Sequence, residues 1–223
     1  MVEWFAYACT RKMNIIDVFP SPVYVESFQN KDHIKNIVKE LVSKETMEKN
    51  SYCDRLFHIA NNSESSILYE DIFDDLREWI CHNAVYYIQS IIGYSTTDEV
   101  LITDSWINIS REGAFQHPHY HTNSYVSGTY YISLDKESSP LEFYYSDIAP
   151  FAQQQSLILE KKNCTKYNSN VIVNVEEGDL VMWPSHLTHG FNINHSKERI
   201  SISFNIMPTY MRTGTYGFKV SLL

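Results

Sequence analysis

Three histidines fall within five residues, His117, His119 and His121, in the segment FQHPHYHTN. Residues two apart on a β-strand project to the same face, so His119 and His121 can hold one ion from one side. All three can do so only if Pro118 leaves the pleat undisturbed. Neutral imidazole is the commonest side-chain ligand for transition metals near pH 7. A third ligand then has to arrive from elsewhere in the chain. His189, in WPSHLTHGF, is the best placed, because it follows an apolar strand-like run and precedes a glycine turn. His186 competes from three residues earlier. Taken alone, such a set is as compatible with packing as with ligation.

Arg199 and Ser201 move that balance. Arg199 lies ten residues beyond His189, and Ser201 shares its strand face. A guanidinium grips a carboxylate through two hydrogen bonds, and a neighbouring hydroxyl adds a third. Metal ligands beside a carboxylate anchor form a more specific combination than either alone.

The elements that must position these residues change character along the chain. Ile34, Ile37, Val38, Leu41 and Val42 repeat at helical spacing. After a polar loop, Asn61 to Ser66, a second helix is expected, with Ile72, Phe73, Leu76, Trp79, Ile80, Tyr87, Ile88 and Ile91 as its buried stripe and Gly93 at its end. From Leu101 the period becomes two. Trp106, Asn108 and Ser110 share one face of a strand, and Ile107 and Ile109 the other. Further strands are expected over Thr129 to Leu134, Leu141 to Tyr145, Val171 to Val175, Leu180 to Trp183 and Glu198 to Met207, with turns at Gly113, Ser138 to Pro140, Glu177 to Asp179 and Asn194 to Lys197. In the last strand Arg199, Ser201, Ser203 and Asn205 alternate with Ile200, Ile202, Phe204 and Ile206. That pattern suits a polar cavity on one side and helices on the other. Asp147 to Asn170 reads as an excursion between strands.

The expected architecture is mainly β with N-terminal helices, a sandwich or barrel. One domain is expected over residues 1–223, with 1–12 as an extension, 13–100 as an N-terminal strand and supporting helices, and 101–223 as the β core. Composition fits a packed globular chain: 43% hydrophobic and 20% charged. A formal net charge of −9 disfavours sequence-independent nucleic-acid binding, because nothing offsets the phosphates. No apolar stretch approaches the ~20 residues needed to cross a bilayer. MVEWFAYACTRK lacks a signal-peptide pattern, so the expectation is a soluble, cytoplasmic protein. Cys9, Cys53, Cys81 and Cys164 lack CxxC spacing, which argues against a disulfide framework or a zinc knuckle. Asn-x-Ser/Thr triplets, such as that at Asn194, are then coincidental.

These segments resemble the Fe(II)- and 2-oxoglutarate-dependent oxygenases, whose fold is a double-stranded β-helix (jelly roll, cupin-like). The resemblance rests on FPSPVYV, on SWINISREGAFQHPHYHTNSYVSGTYYIS and on EEGDLVMWPSHLTHGFNINHSKERISISFN, and spans Ile15 to Asn205. Within the family it is nearest to a group common in bacteriophage and marine bacterial genomes, which points to a bacterial or phage-infected cytoplasm. QHPHYH also looks like the prolyl-hydroxylase stretch in which a histidine, a spacer and an acid hold iron. By position, the resemblance makes His119 the first iron ligand, His121 the occupant of the carboxylate place and His189 the distal histidine. It makes Arg199 and Ser201 the partners of the far carboxylate of 2-oxoglutarate, with Tyr131 a further cosubstrate contact. Tyr130 would face the other way.

Histidine at position 121 departs from the usual two-histidine, one-carboxylate triad. Three neutral imidazoles would leave Fe(II) its full +2 charge, where a carboxylate leaves +1. The alternative is that His121 hydrogen-bonds instead, and water or an acid from another strand, Asp104, Asp135 or Glu142, completes the shell in its place. The resemblance implies an oxygenase that uses Fe(II), 2-oxoglutarate and O2, hydroxylates a C–H bond of a peptide, amino acid or small metabolite, and releases succinate and CO2. The alternatives are a three-histidine dioxygenase needing no cosubstrate, and a non-catalytic jelly-roll binding or structural protein. Nothing in the sequence settles the substrate or whether the chain forms a homo-oligomer.

Overall fold

The structure is a computed structural model and describes residues 17, 20–60, 66–94, 99–144, 162–165 and 169–222. Two expected features, the extension at 1–12 and most of the excursion at 147–170, lie outside the described residues. In chain order the elements begin with β1 (Tyr24–Ser27), α1 (Lys31–Lys44), β2 (Glu48–Lys49) and β3 (Leu56–Ile59). Two short 3-10 turns, Ile67–Tyr69 and Asp71–Phe73, lead into α2 (Asp74–Tyr86), which runs on as a π-helical turn, Tyr87–Ile91. The strands that follow are β4 (Val100–Arg111), β5 (Gln116–His119), β6 (Val126–Ser133), β7 (Leu141–Phe143), β8 (Val171–Val173) and β9 (Asp179–Pro184). The last are β10 (His189–Phe191), β11 (Glu198–Pro208), β12 (Tyr210–Thr213) and β13 (Tyr216–Lys219).

A seven-stranded antiparallel sheet has the order β1-β9-β6-β11-β4-β3-β2, and a four-stranded sheet the order β5-β10-β7-β8. Strand alternation divides the side chains between two layers. On β11, Ile200, Ile202, Phe204 and Ile206 join Tyr130 and Ile132 of β6 and Leu180 and Met182 of β9 in the main core. That core is closed from outside by Ile34 and Val38 of α1 and by Leu76, Ile80 and Ala84 of α2. Each fully buried residue of this size contributes about 1.5–3 kcal/mol. The opposite face of the same strands looks toward the smaller sheet, where Tyr131, Val181 and Trp183 meet Leu141 and Phe143.

The second helix departs from expectation at its two ends. Ile72 and Ile91, expected in the buried stripe, are 46% and 38% exposed. Ile72 lies in a 3-10 turn and Ile91 in the π turn, and each departure from 3.6 residues per turn carries the side chain off the buried face. Gly93 follows at φ +87°, a conformation that favours glycine and ends the segment as expected.

The turn before β11 is more than a loop. Asn194 is fully buried; its side-chain amide donates to the carbonyls of Ser110 and Ser196, and its Oδ1 accepts from Ser139 N–H and Ser196 Oγ. This knot ties the start of β11 to the end of β4, five residues before Arg199. His195 alone of that tripeptide points outward.

Candidate metal centre

The two sheets bring His119, His121 and His189 together, with one nitrogen from each lying within 4.8 Å of the others. His119 ends β5 and His189 opens β10, and the two stand opposite each other in the antiparallel pairing. Their ring centroids are 4.4 Å apart. His121 lies two residues past the strand. Its backbone N–H donates to Ser185 carbonyl at 2.9 Å, and its ring stacks 5.3 Å from that of His189.

The hydrogen bonds also select the tautomer. Nδ1 of His189 lies 2.8 Å from Leu187 carbonyl, and Nδ1 of His119 lies 2.9 Å from His117 carbonyl. A carbonyl only accepts, so each Nδ1 carries the proton and each Nε2 keeps its lone pair for a ligand. Burial pushes His189 down to about 3, helped by the neighbouring His119, so its imidazole is neutral at pH 7. Burial and His119 also lower His121, against the opposing pull of Asp104 and Asn205. Three clustered imidazole nitrogens suit a divalent first-row metal.

The two competing histidines point elsewhere. His117 is exposed, its ring packed against Tyr52 and Phe115, and His186 is exposed after β9. No carboxylate joins the cluster among the described residues. Glu142 turns away from it to accept hydrogen bonds from Tyr144, Asn170 and Asn192.

The histidines line one wall of a cavity of about 590 Å³ between the sheets, which Arg199, Ser201 and Tyr131 also line. Arg199 is 3% exposed, and its guanidinium stacks over the rings of Phe191 at 4.5 Å and Tyr131 at 5.1 Å. No carboxylate forms an ion pair with it among the described residues. Among the described residues its Nε has no hydrogen-bond partner, the Tyr131 hydroxyl has none beyond the guanidinium it faces, and the hydroxyl of Ser110, which pairs with Arg199 across β4 and β11, has none. Burial draws Arg199 below its ordinary pKa, with Tyr131 opposing, but an arginine keeps its proton in proteins. A buried cation with adjoining orphan donors is costly unless an anion satisfies it. The site therefore fits a ligand with a carboxylate at its far end. Tyr130 faces the helical core instead, as strand alternation requires.

Sequence reasoning left several cavity residues unassigned. Trp106 stacks on His121, and its Nε1 donates to Asn108 Oδ1 at 3.0 Å. The same Oδ1 lies 2.9 Å from His58 Nδ1, and Asn108 Nδ2 donates to Ser203 Oγ at 2.8 Å. His58 sits on β3, a four-residue strand whose LFHI pattern is too short to show a period.

Two antiparallel sheets enclosing a histidine cluster that can hold a metal, with helices on one outer face, define a jelly-roll fold. Residues 104–205 match the family described as "Putative 2OG-Fe(II) oxygenase". The matched span contains all three histidines and Arg199. No protein with curated annotation matches the sequence. Among solved structures, the chain is similar to the non-heme alpha ketoglutarate dependent epimerase SnoN from nogalamycin biosynthesis, with a TM-score of 0.60 and 12% identity over 91% of this chain and 87% of that one. It is similar to HygX from Streptomyces hygroscopicus, crystallised with nickel and 2-oxoglutarate, at 0.57 and 12% over 85% and 84%. A Pseudomonas putida prolyl-4-hydroxylase gives 0.55 and 12% over 86% and 93%. At these identities the likeness establishes the fold. No described helix is long and apolar enough to cross a membrane.

Proposed function

We propose that the protein is an Fe(II)- and 2-oxoglutarate-dependent oxygenase of a small molecule or peptide, with hydroxylation of a C–H bond as its reaction. The observation that carries this reading is Arg199: a buried guanidinium without an ion-pair partner among the described residues, lining the same cavity as three clustered histidines. His119, His121 and His189 would hold the metal. Arg199, with Ser201 and the Tyr131 hydroxyl, would hold the far carboxylate of 2-oxoglutarate.

Fe(II), 2-oxoglutarate and O2 together supply oxidation of a substrate C–H bond to C–OH, with one oxygen atom going to the product, the other to succinate, and one carbon leaving as CO2. The chain's own part is placement. The carbonyls of His117 and Leu187 aim the imidazoles of His119 and His189, and the Arg199 guanidinium would anchor the far carboxylate of the cosubstrate. Trp183, edge-on to His189 at 4.6 Å and 2% exposed, keeps bulk water from that buried imidazole. Similar folds support the small-molecule reading, since HygX is also crystallised with hygromycin B, and SnoN, an epimerase, shows that other outcomes occur on this fold.

Histidine at position 121 also suits a dioxygenase without cosubstrate, but that reading leaves Arg199 without an anion. Oxygen uptake coupled to succinate formation, lost in Arg199→Met, supports the proposal. Uptake that ignores 2-oxoglutarate refutes it.

A further inference from the structure

Resting on the reading above, we infer that the end of the cavity farthest from Arg199 is a subsite for an ammonium group, so that the substrate is a small, polar amine. Among the described residues lining the cavity, Asp104 is the sole carboxylate and Arg199 the sole arginine or lysine. They lie far apart. Arg199 pairs with Ser110 across β4 and β11, and Asp104 precedes Ser110 by six residues, about 20 Å of strand. The cavity thus has a cationic end and an anionic end.

The carboxylate is held in place without being neutralised. Its Oδ2 accepts from Thr103 Oγ1 at 3.1 Å and from Asn205 Nδ2 at 3.4 Å, and no cation forms an ion pair with it among the described residues. Trp106, two residues on, projects from the same face of β4, about 7 Å along the strand. Asn108 fixes the indole through Nε1, and the face turned away from His121 is left as a π surface. A carboxylate beside a fixed indole is a donor set for an ammonium: the one pairs with the charge and the other attracts it through the ring quadrupole. Trp106 also stacks on His121, so an amine anchored there would hold its carbon skeleton beside the metal ligands. Asn50, His58 and Ser66 also line the cavity, so this part of its lining is polar rather than broadly apolar. A second carboxylate or a phosphate would meet Asp104 as a like charge. The chain's net charge of −9 steers cations inward as well.

The test is ligand-observed NMR on the anaerobic enzyme loaded with Fe(II) and 2-oxoglutarate. The probes are a panel of amino acids, amino sugars and diamines, each beside its N-acetylated twin. Free amines should bind at least tenfold more tightly than their twins. Asp104→Asn, a nearly isosteric change at an exposed position, should erase that difference, and Trp106→Phe should weaken amines less than Trp106→Leu. Equal binding of amines and twins, discrimination that survives Asp104→Asn, or a panel in which no amine binds would each overturn the inference. The visible absorption band of the Fe(II)–2-oxoglutarate complex, recorded on the same samples, reports separately on the proposed function. A band without amine discrimination sinks only the subsite, and no band sinks the oxygenase reading.

Discussion

His119 and His189 stand opposite each other across two strands of the smaller sheet, with ring centroids 4.4 Å apart and each ring fixed through Nδ1 to a carbonyl two residues earlier in its own chain segment. The metal-binding pair is thereby set by strand register, and a one-residue slip would turn one ring to the opposite face.

That register depends on Gly190. A Cβ there would lie 2.6 Å from Gln116 carbonyl and 3.2 Å from His117 carbonyl, so Gly190→Ala must push β5 away from β10. His119 would move with it. The expected outcome is a folded protein with at least tenfold weaker Fe(II) binding, measured by anaerobic titration. Undiminished affinity would show that the backbone contact does not set the ligand geometry.

Gly128 gives a contrasting prediction. A Cβ there would fall 2.4 Å from the Phe204 ring and 2.9 Å from Val181 carbonyl. Gly128→Ala therefore overpacks the main core and should cost about 1–3 kcal/mol of stability in urea denaturation. Metal affinity of the remaining folded protein should change far less than in Gly190→Ala.

The metal-free protein should lose stability as pH falls below about 6.5, the unfolded histidine value. His189 is held near 3 in the fold, so between those values the unfolded chain binds a proton that the folded chain refuses. Its contribution is present above about 6.5 and is lost as pH falls toward 3. His189→Leu should flatten that part of the profile in pH-dependent urea melts, because it removes the titrating group and keeps the volume apolar. An unchanged slope would contradict the assigned burial.

The polar alternation of the last strand made Arg199 and Ser201 legible, and the spacing of His119 and His121 made the ligand pair legible, because both depend only on a period of two. The strand-end position of His189 favoured it over His186 as the histidine to join that pair, and it is the β5–β10 pairing that brings it there. Two features escaped for a physical reason. His58 sits on a strand too short to display a period, and its place beside Asn108 arises from the β3–β4 pairing, a long-range contact that local pattern does not encode. Ile72 and Ile91 were assigned to the core on a uniform helical period, whereas the segment passes through 3-10, α and π geometry.

Arg199 allows a test with opposite signs in two states. In the metal-free protein its buried guanidinium has no counter-charge, so Arg199→Met should leave stability unchanged or raise it. With Fe(II) bound, the same variant should lose the rise in melting temperature that 2-oxoglutarate gives the wild type. A variant that loses stability without ligand and keeps the 2-oxoglutarate response would assign Arg199 a structural role.

The most direct measurement is an anaerobic titration of the metal-free protein with Fe(II) and then 2-oxoglutarate, followed by visible absorption. The account predicts a metal-to-ligand charge-transfer band that saturates near one equivalent of each and is absent in His189→Ala and Arg199→Met. Iron binding with no band in the wild type, or an undiminished band in both variants, would contradict it.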